Sequence, residues 1–112
     1  MAVMLFAAPI LPGKLDAWKN FAKEMQGSRK AAMDAALSDA GVTREVASLQ
    51  QTPHGDFAVV MFEAEKPGLF MQAMGTGTDE IAQWFRAQLL DVHGMDLTAP
   101  PPPPTEIYYQ YP

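Results

Sequence analysis

No cysteine occurs in this sequence, which excludes disulfides, a thiol nucleophile and thiolate metal ligation. Histidine is almost as scarce. His54 and His93 are the only two, they lie far apart, and without thiolates no metal site is expected. Positive charge is also in short supply. Eight Lys and Arg stand against thirteen Asp and Glu, a net charge of −5, so the chain lacks the concentrated positive field that nucleic acid or an anionic membrane surface requires. No apolar run is long enough to span a bilayer. There is no phosphate-cradling glycine loop, no nucleophile elbow and no metalloprotease helix, and no internal repeat. The expectation is a chain with no cofactor, no metal, no nucleic-acid partner and no membrane partner. The lack of thiols fits a reducing, cytoplasmic setting.

What is present suits one small globular domain. The 112 residues are 48% hydrophobic and 19% charged, enough apolar material for a core and too little charge for disorder. The first twelve residues are nearly all apolar. A signal peptide would need a positive start and an unbroken apolar stretch. Here no Lys or Arg precedes Lys14, and Pro9 and Pro12 interrupt the run, so a buried strand over Val3–Leu11 is expected instead. Both of its alternating faces are apolar: Val3, Leu5 and Ala7 on one, Met4, Phe6, Ala8 and Ile10 on the other. Such a strand needs cover on both sides of its sheet.

Pro12-Gly13 breaks that strand, and residues 14–40 read as a long helix. Leu15, Trp18, Ala22 and Met25 form one stripe, which resumes at Met33, Ala36, Leu37 and Ala40. Gly27 is a candidate bend, and Gly41 closes the helix. Strands follow over Arg44–Thr52 and Phe57–Ala64, joined by the turn-forming Pro53-His54-Gly55-Asp56. A short amphipathic segment spans Leu69–Met74 and leads to a Gly75-Thr76-Gly77 loop. Thr78 is the expected N-cap of a helix reaching Val92, with Ile81, Trp84, Phe85, Leu89 and Val92 as its inward stripe. Five prolines, Pro100–Pro104, form a polyproline II spacer of about 15 Å at about 3.1 Å per residue. Thr105–Tyr111 reads as a last strand with Ile107, Tyr109 and Tyr111 on one face.

The resulting order, β-α-β-β-α-β over residues 1–112, describes a single α+β domain. It is ferredoxin-like, with a four-stranded antiparallel sheet and helices on one face. At Ala40-Gly41-Val42-Thr43-Arg44-Glu45, at His54-Gly55-Asp56-Phe57 and at Val92-His93-Gly94-Met95-Asp96 before the prolines, the chain resembles the dimeric α+β barrel superfamily. That superfamily includes antibiotic-biosynthesis-type monooxygenases, stress-responsive barrel proteins and many uncharacterised bacterial proteins. The resemblance covers nearly the whole chain and implies two sheets facing each other across a homodimer, enclosing a barrel or cleft. It does not imply one activity. Haem-degrading members use an Asn, a Trp and a His. Here Asn20 and Trp18 share one helical region at a different spacing, so haem chemistry is not carried over.

Each candidate for chemistry has a plainer reading beside it. His93 is a general base or ligand-binding group near a cleft mouth, or a helix-terminal His bonding the last carbonyls, and we favour the second. Arg29 sits on the first helix stripe, where a guanidinium either binds an anionic ligand or pairs internally. Glu45 is the expected partner, and we favour the ion pair. Trp18 and Trp84 line a pocket or fill the core, with core the default for aromatic stripes. Tyr108 supplies a phenol at a barrel mouth or, with Tyr109 and Tyr111, packs in a dimer interface. Two functions follow. One is binding or transforming a small apolar or aromatic molecule in the barrel cleft without a metal. The other is a non-catalytic dimeric module whose sheet faces are consumed in packing. A cavity of about 300 Å³ or more reached by two polar side chains favours the first.

Overall fold

A computed structural model describes residues 2–112. It is an α+β domain of four helices and a three-stranded antiparallel sheet. The elements in order are β1 (Ala2–Ile10), α1 (Leu15–Met25), α2 (Lys30–Asp39), β2 (Val42–Thr52), β3 (Gly55–Ala64), α3 (Leu69–Thr76) and α4 (Glu80–His93). The sheet order is β1-β3-β2. β2 and β3 form a hairpin across Pro53-His54. Thr52 Oγ1 closes it by donating to the Gly55 carbonyl at 2.8 Å and accepting from the His54 amide at 3.1 Å. Gly55 has φ +132°, a conformation that other residues rarely adopt.

Alternation along the strands separates two faces. Phe6 and Ala8 of β1, with Ala58, Val60 and Phe62 of β3, join the core under the helices. An aromatic chain runs through that core. Phe62 meets Phe70 at 5.5 Å, Phe70 meets Phe85 at 5.4 Å, and Phe85 meets Phe21 at 5.7 Å between ring centres. Each such ring, fully buried, contributes about 1.5–3 kcal/mol of hydrophobic stabilisation. The core contains no buried polar side chain among the described residues. Leu5, Val46, Val59 and Met61 belong to the opposite face and take no part in the helix-covered core. Leu5 and Val46 remain 39% and 42% exposed, so this apolar face is open to solvent in the single chain.

The sequence expectations need four corrections. The long helix over 14–40 is two helices. Residues 26–29 form a turn in which the Gly27 and Arg29 amides both donate to the Glu24 carbonyl, at 3.1 and 2.9 Å. Gly27 sits in this turn, where its low helix propensity opposes continuation. The N-cap of α4 is Asp79, not Thr78, its carboxylate accepting from the Ala82 amide at 3.4 Å. The segment beginning at Leu69 is a helix of 8 residues that absorbs Gly75 and Thr76. A Cβ at Gly77 would stand 2.8 Å from the Ala73 carbonyl oxygen and from Ala82 Cβ, so glycine is what lets α3 turn directly into α4.

The fourth correction concerns the C-terminus. Residues 105–111 form no strand within this chain. The prolines before them supply no N–H donors. The described contact that holds the segment to the sheet is the Thr105 hydroxyl, which donates to the carbonyl of Leu5 on β1. Tyr108, Tyr109 and Tyr111 are 83–90% exposed.

Candidate functional site

A small side chain on the sheet helps to open a cavity between the sheet and the helices. On the helix-covered face, Phe6, Val60 and Ala47 share one row, and Ala8, Ala58 and Leu49 the next. Ala47 leaves the floor low on β2, where the helices do not cover it, while Ala8 and Ala58 line the space but are buried. The space is about 360 Å³, walled by Trp18, Phe21 and Met25 of α1, Met33 and Leu37 of α2, and Phe85 and Leu89 of α4. Five polar side chains reach it: Gln26, Lys30, Asp34, Glu45 and His93. A second, more open depression of about 540 Å³ lies between α2 and α3, beside the capping carboxylate of Asp79.

His93 is the last residue of α4, and Gly94 ends the helix in the left-handed conformation at φ 66°. The ring does not bond its own helix. Its Nδ1 lies 2.7 Å from the carbonyl oxygen of Pro9 on β1. A carbonyl only accepts, so Nδ1 carries the proton. In the neutral ring Nε2 is then an unprotonated acceptor. Burial favours the neutral form and lowers the pKa from 6.5, although the Pro9 bond works in the other direction. His93 therefore offers the cavity a lone pair that accepts a proton or a hydrogen bond.

Glu45 enters from β2 through an irregularity. A register shift between Val42 and Arg44 leaves Val42 and Glu45 opposite Ala64 and Phe62, both on the helix-covered face. The Glu45 carboxyl has no hydrogen bond or ion pair among the described residues. Burial in this apolar setting pushes its pKa up to about 7. The neighbouring charges at the cavity, Lys30 and Asp34 of α2, neutralise each other at 2.8 Å.

Glu45 and His93 do not meet. Glu45 stands in the row of Phe62, whereas Pro9, which holds His93, stands in the row of Phe57. At about 3.4 Å per strand residue the two rows are about 17 Å apart. The two groups enter the trough from different ends.

Of the residues singled out from sequence, Trp18 and His93 line the cavity. Trp84 packs on Phe21 with ring centres 5.3 Å apart and carries the Arg29 guanidinium 4.4 Å above it. Neither Trp84 nor Arg29 lines the cavity, and Tyr108 projects into solvent. The expected Arg29–Glu45 pair is absent. Arg29 turns to Glu80 at 3.3 Å and to Glu24 at 3.9 Å, because the break at residues 26–29 rotates it off the helix stripe and towards α4. The cavity also lies on the helix side of the sheet, not on the open face where a barrel would close. Glu45 went unread as a cavity residue because the signal, a carboxylate on the inward face of β2, depends on the bulge at Thr43. Among the described residues no three His, Asp or Glu gather to hold a metal, and no helix is long and apolar enough to cross a membrane. No family model matches this chain, and no curated protein or solved structure is significantly similar to it.

Proposed function

We propose that this chain binds a small apolar or aromatic molecule in the trough between its sheet and helices. The observation that carries this reading is one cavity of about 360 Å³ combining an aromatic and methionine wall with two polar groups, Glu45 and His93. Ligand sites are apolar hollows with a few convergent polar groups, and this volume lies within their usual range. A half-buried carboxyl without a partner lowers the stability of the fold alone, so its presence favours a role beyond packing.

The reading extends to a ferredoxin-like dimeric α+β barrel. Its support is the strand order β1-β3-β2, the helices on one face, and the contact of Thr105 with the outer edge of β1, where a fourth strand would lie. The open apolar face bearing Leu5, Val46, Val59 and Met61 supports pairing of two copies through their sheets. Sedimentation at micromolar concentration tests that pairing, and a monomer there would rule it out.

Binding is tested with the neutral fluorophore N-phenyl-1-naphthylamine. Saturable enhancement is expected for the native chain. Ala47→Met, which raises the cavity floor, should abolish it while the far-ultraviolet dichroism and melting temperature are maintained. Enhancement equal in both proteins, or absent from the native one, would overturn the reading.

A further inference from the structure

Resting on the trough as a ligand site, we infer that its ligand is an organic cation, an aliphatic or arylalkyl ammonium whose charged head meets Glu45 and whose apolar body runs towards His93. Few charges face Glu45. From α2 come Lys30 and Asp34, already joined at 2.8 Å. From the turn after α1 comes Gln26, which is neutral. From α3 comes Met71, which is apolar. From α4 the titratable group in the trough is His93, at the far end. On β3 the neighbour of Glu45 is Phe62, and Glu63 alternates to the other face, where it accepts from Thr43 Oγ1 at 3.0 Å. Arg44 also alternates to that face and is exposed. Arg29 is committed to Glu24, Glu80 and the ring of Trp84. Every described cation near the site therefore has other partners or points away, and among the described residues the Glu45 carboxyl is the one acid in the trough without a counter-charge.

The walls suit the same ligand. Phe6, Phe62, Trp18 and Phe21 present aromatic rings around the space, and the faces of such rings attract cations. An anion would meet an uncompensated carboxyl and a chain of net charge −5. A neutral ligand would leave Glu45 without an ionic partner. Burial already holds this carboxyl close to its midpoint at neutral pH, so an arriving ammonium would draw it to the ionised form and release a proton. At the other end Nε2 of His93 accepts a hydrogen bond, so a ligand with a distal hydroxyl or phenol is favoured over a bare hydrocarbon.

The test is displacement of N-phenyl-1-naphthylamine by octylamine, octan-1-ol and octanoate, which share one tail and differ in head group. At about pH 8, above the Glu45 midpoint, octylamine should displace roughly tenfold better than octan-1-ol, and octanoate worst. Two independent changes should erase the amine's advantage: Glu45→Gln, and lowering the native protein to about pH 5, where the carboxyl is protonated and the amine still charged. Octan-1-ol or octanoate equalling octylamine would overturn the cation inference and leave the trough as an apolar site. An amine advantage that survives both changes would place the head group away from Glu45 and overturn it too. Failure of all three to displace a probe that Ala47→Met does abolish would also reject it, limiting the site to aromatic ligands. If Ala47→Met has no effect on the probe, the trough itself is not the site.

Discussion

His93 Nδ1 lies 2.7 Å from the Pro9 carbonyl oxygen, a bond that ties the last turn of α4 to the end of β1. Beside it the Leu11 amide donates to the Val92 carbonyl at 2.9 Å, so two bonds hold this junction. Because burial lowers the His93 pKa below 6.5, the unfolded chain takes up a proton more readily than the folded one. The stability linked to neutral His93 is complete above 6.5 and is lost as the pH falls through the lower folded value. Denaturant melts from pH 7 downwards should show this loss, and His93→Gln should remove that part of the slope. An unchanged slope in the variant would assign the acid sensitivity elsewhere.

Glu45 has the opposite sign. Its folded pKa of about 7 stands above the ordinary 4.5, so its contribution is complete below 4.5 and is lost as the pH rises through about 7. Glu45→Gln keeps the shape without the charge. At about pH 8 it should stabilise the chain by on the order of 1–2 kcal/mol, after allowing for solvent screening of a partly exposed group. At about pH 4 the variant and the native chain should melt alike. Equal stability at both pH values would mean that the carboxyl is well solvated.

Arg86 fastens the α3–α4 corner. Its Nη1 donates to the Met74 carbonyl at 2.6 Å and to the Gly77 carbonyl at 2.7 Å. Hydrogen bonds from a charged donor contribute about 1.5–3 kcal/mol each, and solvent reaches carbonyls released here, so Arg86→Ala should cost about 2–3 kcal/mol. Arg86→Lys should recover part of that loss. Chemical denaturation of both variants measures it, and a cost below about 0.5 kcal/mol would show that water replaces the guanidinium at no penalty.

Arg29 binds α4 from the turn between α1 and α2. Its guanidinium lies 4.4 Å from the Trp84 ring centre and 3.3 Å from the exposed Glu80 carboxylate. Arg29→Ala should cost about 1 kcal/mol, mostly through the ring contact, because an exposed ion pair adds little. Double-mutant cycles should couple Arg29 to Trp84 and leave Arg29 uncoupled from Glu45. Coupling to Glu45 would contradict the geometry of this turn.

Truncation after Ala99 removes the Thr105–Leu5 contact and three exposed tyrosines. A chain ending there should keep its fold, with a melting temperature within a few degrees of the full chain, since about 1 kcal/mol corresponds to a shift of about 4–8 °C at this size. If the tyrosines cover the open sheet face of a second copy, sedimentation should show weaker self-association for the shorter chain. Equal association would show that the tail takes no part in pairing.

Composition and periodicity determined the class of this protein. The strand at 3–11, the hairpin around Pro53-His54 and the stripe ending at Val92 were legible because each obeys a local rule: alternation, turn chemistry or helical spacing. The break at residues 26–29 was half-legible, since Gly27 marked a weak point but not the rotation of Arg29 towards Trp84. The tail's alternation suggested a strand, yet strand formation needs a partner's backbone, and a local pattern does not say whether one is within reach. Only the tertiary structure decided the trough. Alanine on a strand reads as ordinary core filler until register sets Ala47 beside Val60 on the inward face, at a place the helices leave uncovered. Glu45 became its unpaired acid because one extra residue at Thr43 turned it inward while the expected arginine went elsewhere. Cavities and lone charges are properties of what packing leaves unfilled, and that remainder is set by contacts distant in sequence.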